Sequence, residues 1–310
     1  MNRLSSLFGW MFIALAITSF VACSDDDDDV TPTPQSIVEI AVGDAQFSTL
    51  VAALQRVDLV STLEGTGPFT VFAPTNAAFT ALGVDLATIS DEALTEILLY
   101  HVVGADIAST DIADGKTYVS SAAGTGPNGT QLSLLVEKAN GAVTINGSAT
   151  VTTADVDATN GVIHIVDAVI TPMSVVGHAV ANDDFSSLVT TLSAASGDLV
   201  TVLSGDGPFT VFAPVNSAFD AIAAVAATLT PDQLAKVLTY HVVGGNVLST
   251  DLTNPMTVTT VNGETFTIKL DGSPTITDAG GNVSNIIFTD VQGTNGVIHV
   301  IDAVILPENL

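Results

Sequence analysis

Apolar residues along this chain fall into two alternating rhythms. Phe47, Leu50, Val51 and Leu54 recur at i, i+3, i+4 and i+7, the spacing that lines one face of a helix. Residues 59–63 predict a second short helix ending at Gly65. Gly67-Pro68 marks a turn, and residues 69–73 read as a buried strand stopped by Pro74. Asn76 is placed to cap a short helix carrying Phe79 and Leu82. Ser90-Asp91-Glu92 opens the strongest helix, which sets Leu94, Ile97, Leu98 and His101 on one face. Beyond it the period changes. Gly, Asn and Asp turns separate short Val/Thr/Ile runs such as Ala142–Ile145, the pattern of a β-rich half. Asn160-Gly161 is a tight-turn dipeptide, and residues 162–170 read as a strand apolar on both faces.

The same order is then written again. Gly-Pro-Phe-Thr-Val-Phe-Ala-Pro at 67–74 recurs at 207–214, and Tyr-His-Val-Val-Gly at 100–104 recurs at 240–244. Asn-Gly-Val-Ile-His at 160–164 recurs at 295–299. The second copy repeats the helix pattern with Asn216, Phe219 and Ile222, then Leu234, Val237, Leu238 and His241. Its Thr230, Pro231 and Gln233 make a complete capping box with Pro at the first helical position. A repeat of this length is a whole domain rather than a solenoid unit. The chain therefore reads as a tandem duplication, with copies over 36–171 and 174–307. The join, Thr171-Pro172-Met173, is too short for a flexible linker, so the copies are expected to touch.

The N-terminus reads as an address. Arg3 precedes a short apolar run over 7–17, followed by small residues, which predicts a signal peptide over 1–22. The single Cys of the chain, Cys23, follows at once. The arrangement resembles the bacterial lipoprotein signal, which implies lipidation of Cys23 after cleavage. Residues 23–35, with Asp25 to Asp29 and a Thr/Pro segment, predict an extended, solvated tether. An acidic tract directly after such a Cys resembles the surface-export signal of Bacteroidetes-type lipoproteins; a plain spacer is the other reading.

Charge narrows the function classes. The 310 residues hold 33 acids against 6 Lys and Arg, a formal net charge of −27. No phosphate-neutralising surface can be assembled, which excludes nucleic acid as a partner and leaves the N-terminal lipid as the only membrane contact. One Cys excludes a disulfide scaffold. At 47% hydrophobic, the chain is no disordered acidic tail.

Gly-Pro-Phe-Thr-Val-Phe-Ala-Pro-x-Asn-x-Ala-Phe, then Tyr-His-Val-Val, then Asn-Gly-Val-Ile-His-x-x-Asp-x-Val-Ile resemble the three signatures of the fasciclin domain, in order and in both copies. The resemblance implies an α+β (α/β) fold: two tandem fasciclin-like domains, each a β-wedge of mostly antiparallel strands with packed helices. It implies extracellular adhesion or binding rather than catalysis. The region around Tyr-His is assigned to adhesion in animal members, and the matching positions are Tyr100, His101, Tyr240 and His241; the other reading is that each pair ends a helix, with His near the negative helix end and Tyr packed against the strands.

The chain's own chemistry is sparse. His101, His164, His178, His241 and His299 form no H-x-x-x-H or H-E-x-x-H pattern, so no metal site, cofactor or catalytic set is expected. His164 and His299 sit among Val and Ile as core residues. Asp167 and Asp302 lie about 10 Å further along the strand and are expected to bind backbone or turn groups. Asp155-x-Asp157 lacks the rest of a calcium loop. Asn128, Asn146 and Asn282 fit the glycosylation pattern but read as turns. The expected function is a non-enzymatic, lipid-anchored adhesion protein of the bacterial outer membrane or cell surface, bound to a surface protein or glycan. The alternatives are a polymer-hydrolysis-associated or small-ligand-binding protein, or a structural envelope spacer. So acidic a chain repels itself at low ionic strength. Its melting temperature is expected to rise from low to moderate salt; a flat profile by calorimetry contradicts this.

Overall fold

A computed structural model describes residues 33–308 and 310. The signal peptide, Cys23 and nearly all of the acidic tether lie outside the described residues. In the first copy, α1 (Ile37–Gly43), α2 (Ser48–Arg56) and α3 (Val60–Leu63) lead into β1 (Phe69–Pro74). Then come α4 (Asn76–Leu82), α5 (Asp91–Tyr100), β2 (Val102–Val103), β3 (Gly115–Ser120), β4 (Ser133–Ala139), β5 (Ala142–Ile145), β6 (Ala149–Ala158) and β7 (Gly161–Val166). The second copy repeats the plan with α6 (Val175–Ala181), α7 (Ser186–Ala194), α8 (Leu199–Ser204), β8 (Phe209–Pro214), α9 (Asn216–Ala221), α10 (Ala223–Ala226) and α11 (Pro231–Tyr240). Its strands continue as β9 (Val242–Gly244), β10 (Met256–Thr259), β11 (Thr265–Lys269), β12 (Thr275–Thr277), β13 (Val283–Gly293) and β14 (Gly296–Ile301).

Each copy forms one seven-stranded sheet, ordered β2-β1-β7-β6-β5-β4-β3 and, running the other way, β10-β11-β12-β13-β14-β8-β9. Pairing is antiparallel except where the first and last strands of a copy meet, β1 with β7 and β8 with β14. Those strands are covered on both faces, which explains their unbroken apolar sequence. On one side Phe47, Leu50, Leu94, Leu98 and Ile163 pack with the helices. On the other, Phe72, Tyr100, Leu134, Ile145 and Val166 pack within the wedge of strands.

Two local expectations are corrected. The last strand ends at Val166, not Ile170, because the chain leaves the ladder once Asp167 takes the Thr150 N–H at 2.7 Å. Asn76 does not cap its own helix; Thr75 does. Asn76 instead accepts from Thr49 N at 2.9 Å and donates to Ala45 O at 2.9 Å, which pins the start of α2. Asn216 does the same for α7 through Ser187 N and Asp183 O. The Ser90 cap and the Thr230–Gln233 capping box are present as expected.

The turn before β7 carries the closure of each copy. Asn160 is buried in the β6–β7 hairpin turn. Its Oδ1 accepts from Ile37 N at 3.0 Å, one of the orphan donors of the first turn of α1. Its Nδ2 donates to Leu63 O at 2.8 Å, the last carbonyl of α3, and to Gly65 O at 2.9 Å, just past the helix end. Asn295 repeats all three bonds with Val175 N, Leu203 O and Gly205 O. The following Gly161, at φ +147°, lies so close to β1 that a Cβ would stand 1.9 Å from Phe69 O. Asn-Gly is required here by a polar peg and a backbone contact, beyond the needs of the turn.

The copies touch, as the short join predicts. β3 is an edge strand, and its alternation sends Lys116 and Tyr118 to one face. Tyr118 enters the second copy's core, edge-on to His178 at 5.8 Å between ring centres and tilted on Phe288 at 5.7 Å. Its hydroxyl accepts from Asn182 Nδ2 at 3.1 Å. Lys116 pairs with Asp183 and, at 3.2 Å, with Asp184. The buried Ser133 hydroxyl accepts from Gln292 N at 2.9 Å.

Removing the peg strands one donor and two acceptors inside the molecule, each costing about 1–3 kcal/mol when unmet. Asn160→Ala is expected to destabilise the protein by at least about 3 kcal/mol in urea unfolding; a loss under about 1 kcal/mol refutes the role of the peg.

Candidate functional site

The four Tyr-His residues are core residues in this fold. Tyr100, His101, Tyr240 and His241 are each no more than 2% exposed. α5 ends at Tyr100 and α11 at Tyr240, so each pair turns from the helix into the short strand that follows. The Tyr100 hydroxyl donates to Ser133 O at 2.7 Å and accepts from Asn146 Nδ2 at 2.9 Å. Asn146 Oδ1 accepts from Leu135 N at 2.9 Å. Asn146 is thus a buried strut with φ +52°. Tyr240 binds Thr265 O at 2.8 Å and accepts from Ala279 N at 3.1 Å. Burial raises the pKa of both phenols.

Each histidine is locked as one neutral tautomer by its partners. His101 Nδ1 meets Ile97 O at 2.7 Å and so carries the proton; Nε2 accepts from Ile170 N at 2.9 Å. His241 repeats this with Val237 O at 2.8 Å and Ile305 N at 3.1 Å. The ring ties the last turn of the helix to the segment after the closing strand. Burial pushes both imidazoles down to about 4, opposed only in part by the carbonyl bond at Nδ1. His178, sealed at the junction of the copies, is also pushed down to about 4 by burial. Its ring nitrogens make no hydrogen bond of normal geometry, although the nearby Gln292 backbone opposes part of the shift.

A Ser-Asp-His grouping recurs in both copies. Asp155 accepts from Ser109 N at 2.7 Å and also from the Ser109 hydroxyl. The Asp155 N–H donates to His164 Nδ1 at 3.2 Å, and His164 Nε2 meets Ile107 O at 2.8 Å. The wiring is wrong for a nucleophile. The serine faces the carboxylate, while backbone groups occupy both imidazole nitrogens, so no base is left to take the hydroxyl proton. Ser249, Asp290 and His299 repeat it, with Asp290 N to His299 Nδ1 at 3.4 Å and Nε2 to Val247 O at 2.9 Å. Asp155 and Asp290 have φ of +58° and +62° where the register of the β6 and β13 pairings shifts, so each set latches a bulge. The hydrogen bonds from Ser109 hold the Asp155 carboxyl below its usual range. The one local trace of this latch in the sequence is that Asp stands nine residues before His in both copies.

Asp167 and Asp302 bind the Thr150 and Asn285 backbone N–H groups, both at 2.7 Å, and not the histidines. Among the described residues no group of three or more His, Cys, Asp or Glu side chains is placed to hold a metal ion. The few cations serve the fold: Arg56 holds Asp91, Leu86 O and Ile89 O, and Lys138 holds Ser109 O and Ile112 O. No single described helix is long and apolar enough to cross a membrane.

Comparison with known proteins gives consistent matches. The sequence model of the Fasciclin domain matches residues 45–172 and again 183–307. The Synechocystis protein sll1483 is 45% identical over 147 residues, which span 46% of this chain and 76% of that protein. Human periostin is 31% identical over 258 residues, covering 80% of this chain but 29% of periostin. Among solved structures, a domain pair from the insect cell adhesion molecule fasciclin I aligns with a TM-score of 0.48 and 22% identity, over 83% of this chain and 93% of that one.

Histidines held neutral at about 4 when folded, against 6.5 when free, bind protons preferentially in the unfolded chain. Their contribution is whole above pH 6.5 and is lost as pH falls from 6.5 toward 4. Each adds a slope of up to about 1.4 kcal/mol per pH unit. His178→Phe is expected to flatten urea-derived stability between pH 6.5 and 4.5 by about one such slope; an unchanged slope contradicts the assignment.

Proposed function

The chain belongs to the fasciclin domain family, with two copies of the domain in tandem, and from that premise we propose that it is a non-enzymatic, lipid-anchored surface protein making adhesive contact with a surface protein or glycan. The observation that carries the reading is an apolar strip on the outer face of β13. Val283 and Ile287 are 58% and 53% exposed there on either side of Asn285, and Phe288, 42% exposed, continues from them to its contact with Tyr118 of the first copy. The matching positions, aligned through the Asp–His latch, are Ser148 just before β6 and Thr152 and Thr153 within it. An exposed apolar strip on so acidic a protein marks a contact surface. Several chains displayed on one surface present the strip many times over, so individually weak contacts gain avidity.

Tyr100, His101, Tyr240 and His241 enter this function through the fold. They tie the ends of α5 and α11 to the strands and to the segments after the closing strands, and their side chains are buried. Cys23 is the proposed anchor, placing the domains at the outer membrane or cell surface.

The test is adhesion under flow of cells producing the full chain, on immobilised matrix protein and on glycan. Val283→Ser with Ile287→Thr, the residues of the first copy, is expected to cut adhesion several-fold while leaving the melting temperature unchanged. Cys23→Ala is expected to move the protein from the membrane fraction to the soluble one. Equal adhesion by producing and deleted cells on every surface overturns the proposal.

A further inference from the structure

The two copies differ sharply at one place inside the wedge. In the first copy a cavity of about 250 Å³ opens beside β3. Its wall is Phe72, Ile107, Ile112, Val119 and Val136, and Asp111 and Thr117 stand at its exposed rim. The matching space in the second copy is about 30 Å³. The register explains the difference. Tyr100 and Tyr240 donate to Ser133 O and Thr265 O, which equates those two positions. Thr117 then pairs with Val136 as Met256 pairs with Ile268, so Met256 replaces Thr117 and Phe266 replaces Leu134. Phe266 lies edge-on to Phe212 at 5.1 Å and to Tyr240 at 5.9 Å, and Met256 lines what remains of the space. Two larger side chains close in one copy what is open in the other.

We propose that the open cavity is a ligand site for a small amphipathic amine: an aromatic ring or short alkyl body inside, with a cationic head at the rim. An apolar cavity of about 150 Å³ already accepts benzene, so this one has room for a ring and a short arm. The wall offers the body no polar partner, which is the usual make-up of a pocket with orientation set at its mouth. At the mouth is the Asp111 carboxylate. Lys138 commits its ammonium to Ser109 O and Ile112 O, and among the described residues no ion pair joins it to Asp111. The net charge of −27 draws cations toward that rim. Thr117 lies on the face of β3 opposite Tyr118, so the site is independent of the contact between the copies.

The test is an NMR titration of the full chain with phenethylamine and, separately, with neutral 2-phenylethanol. Saturable shifts are expected at Ile112, Val119 and Val136, with the amine about threefold tighter, the size of one exposed charge pair. Asp111→Asn is expected to remove that threefold preference and leave 2-phenylethanol unchanged. Thr117→Met, which copies the second domain at an exposed strand position, is expected to abolish both. Met256→Thr with Phe266→Leu is expected to create a second set of shifts at Val258 and Ile268. Absence of saturable shifts, or shifts that survive Thr117→Met, overturns the site. Equal affinity for amine and alcohol overturns the amine class.

Discussion

One side chain in each copy holds together parts of the chain that are far apart in sequence. Asn160 spends its carboxamide on three backbone groups: the first N–H of α1, the last carbonyl of α3 and the Gly65 carbonyl just past it. These lie 123, 97 and 95 residues away. Helix ends leave donors and acceptors that must be met when buried, and short helices such as α1 and α3 cannot meet them alone. The hairpin turn supplies what the helices lack, and Gly161 lets β7 run alongside β1 without a Cβ between them. The parallel pairing of first and last strands, and so the closed two-sided core, depends on that dipeptide.

The Tyr-His pair extends the same economy of polar groups. The tyrosine hydroxyl satisfies a strand carbonyl, and the imidazole joins a helix carbonyl to an amide beyond the closing strand. Both side chains are buried and fully bonded, so their chemistry is spent inside the domain. The Ser-Asp-His set follows the same logic. Its members bond to one another and to the backbone to fix a bulge, and that arrangement removes any free base. The surface is left to the acidic residues and to the strip on β13.

The copies share their scaffold and differ at its edges. Tyr118 and Lys116 of β3 grip the second copy, whereas Thr257 stands exposed in the matching position. One position further back, on the other face, Thr117 leaves a cavity that Met256 fills. Strand alternation lets a single edge strand carry a domain contact on one face and a pocket on the other. Duplication preserved what the fold needs, and divergence collected where each copy meets something different.

The sequence alone determined the duplication, the helices with period 3.6, the capping box at Thr230 and the two-sided burial of β7. These are local or repeated signals, set by which side chains follow one another. It also pointed to the family and to Tyr100, His101, Tyr240 and His241, and offered both adhesion and packing at a helix end as their role. Only the tertiary structure decided that Asn76 pins α2, that Asn160 joins two helices, and that Tyr118 belongs to the core of the other copy. It alone showed Asp155 latched to Ser109 and an open space beneath Thr117. In each case the partners lie tens of residues apart. A carboxamide, phenol or carboxylate has the same local signature whatever it bonds to. Its role is fixed by which backbone groups folding leaves unmet beside it, and by how much volume its neighbours fill.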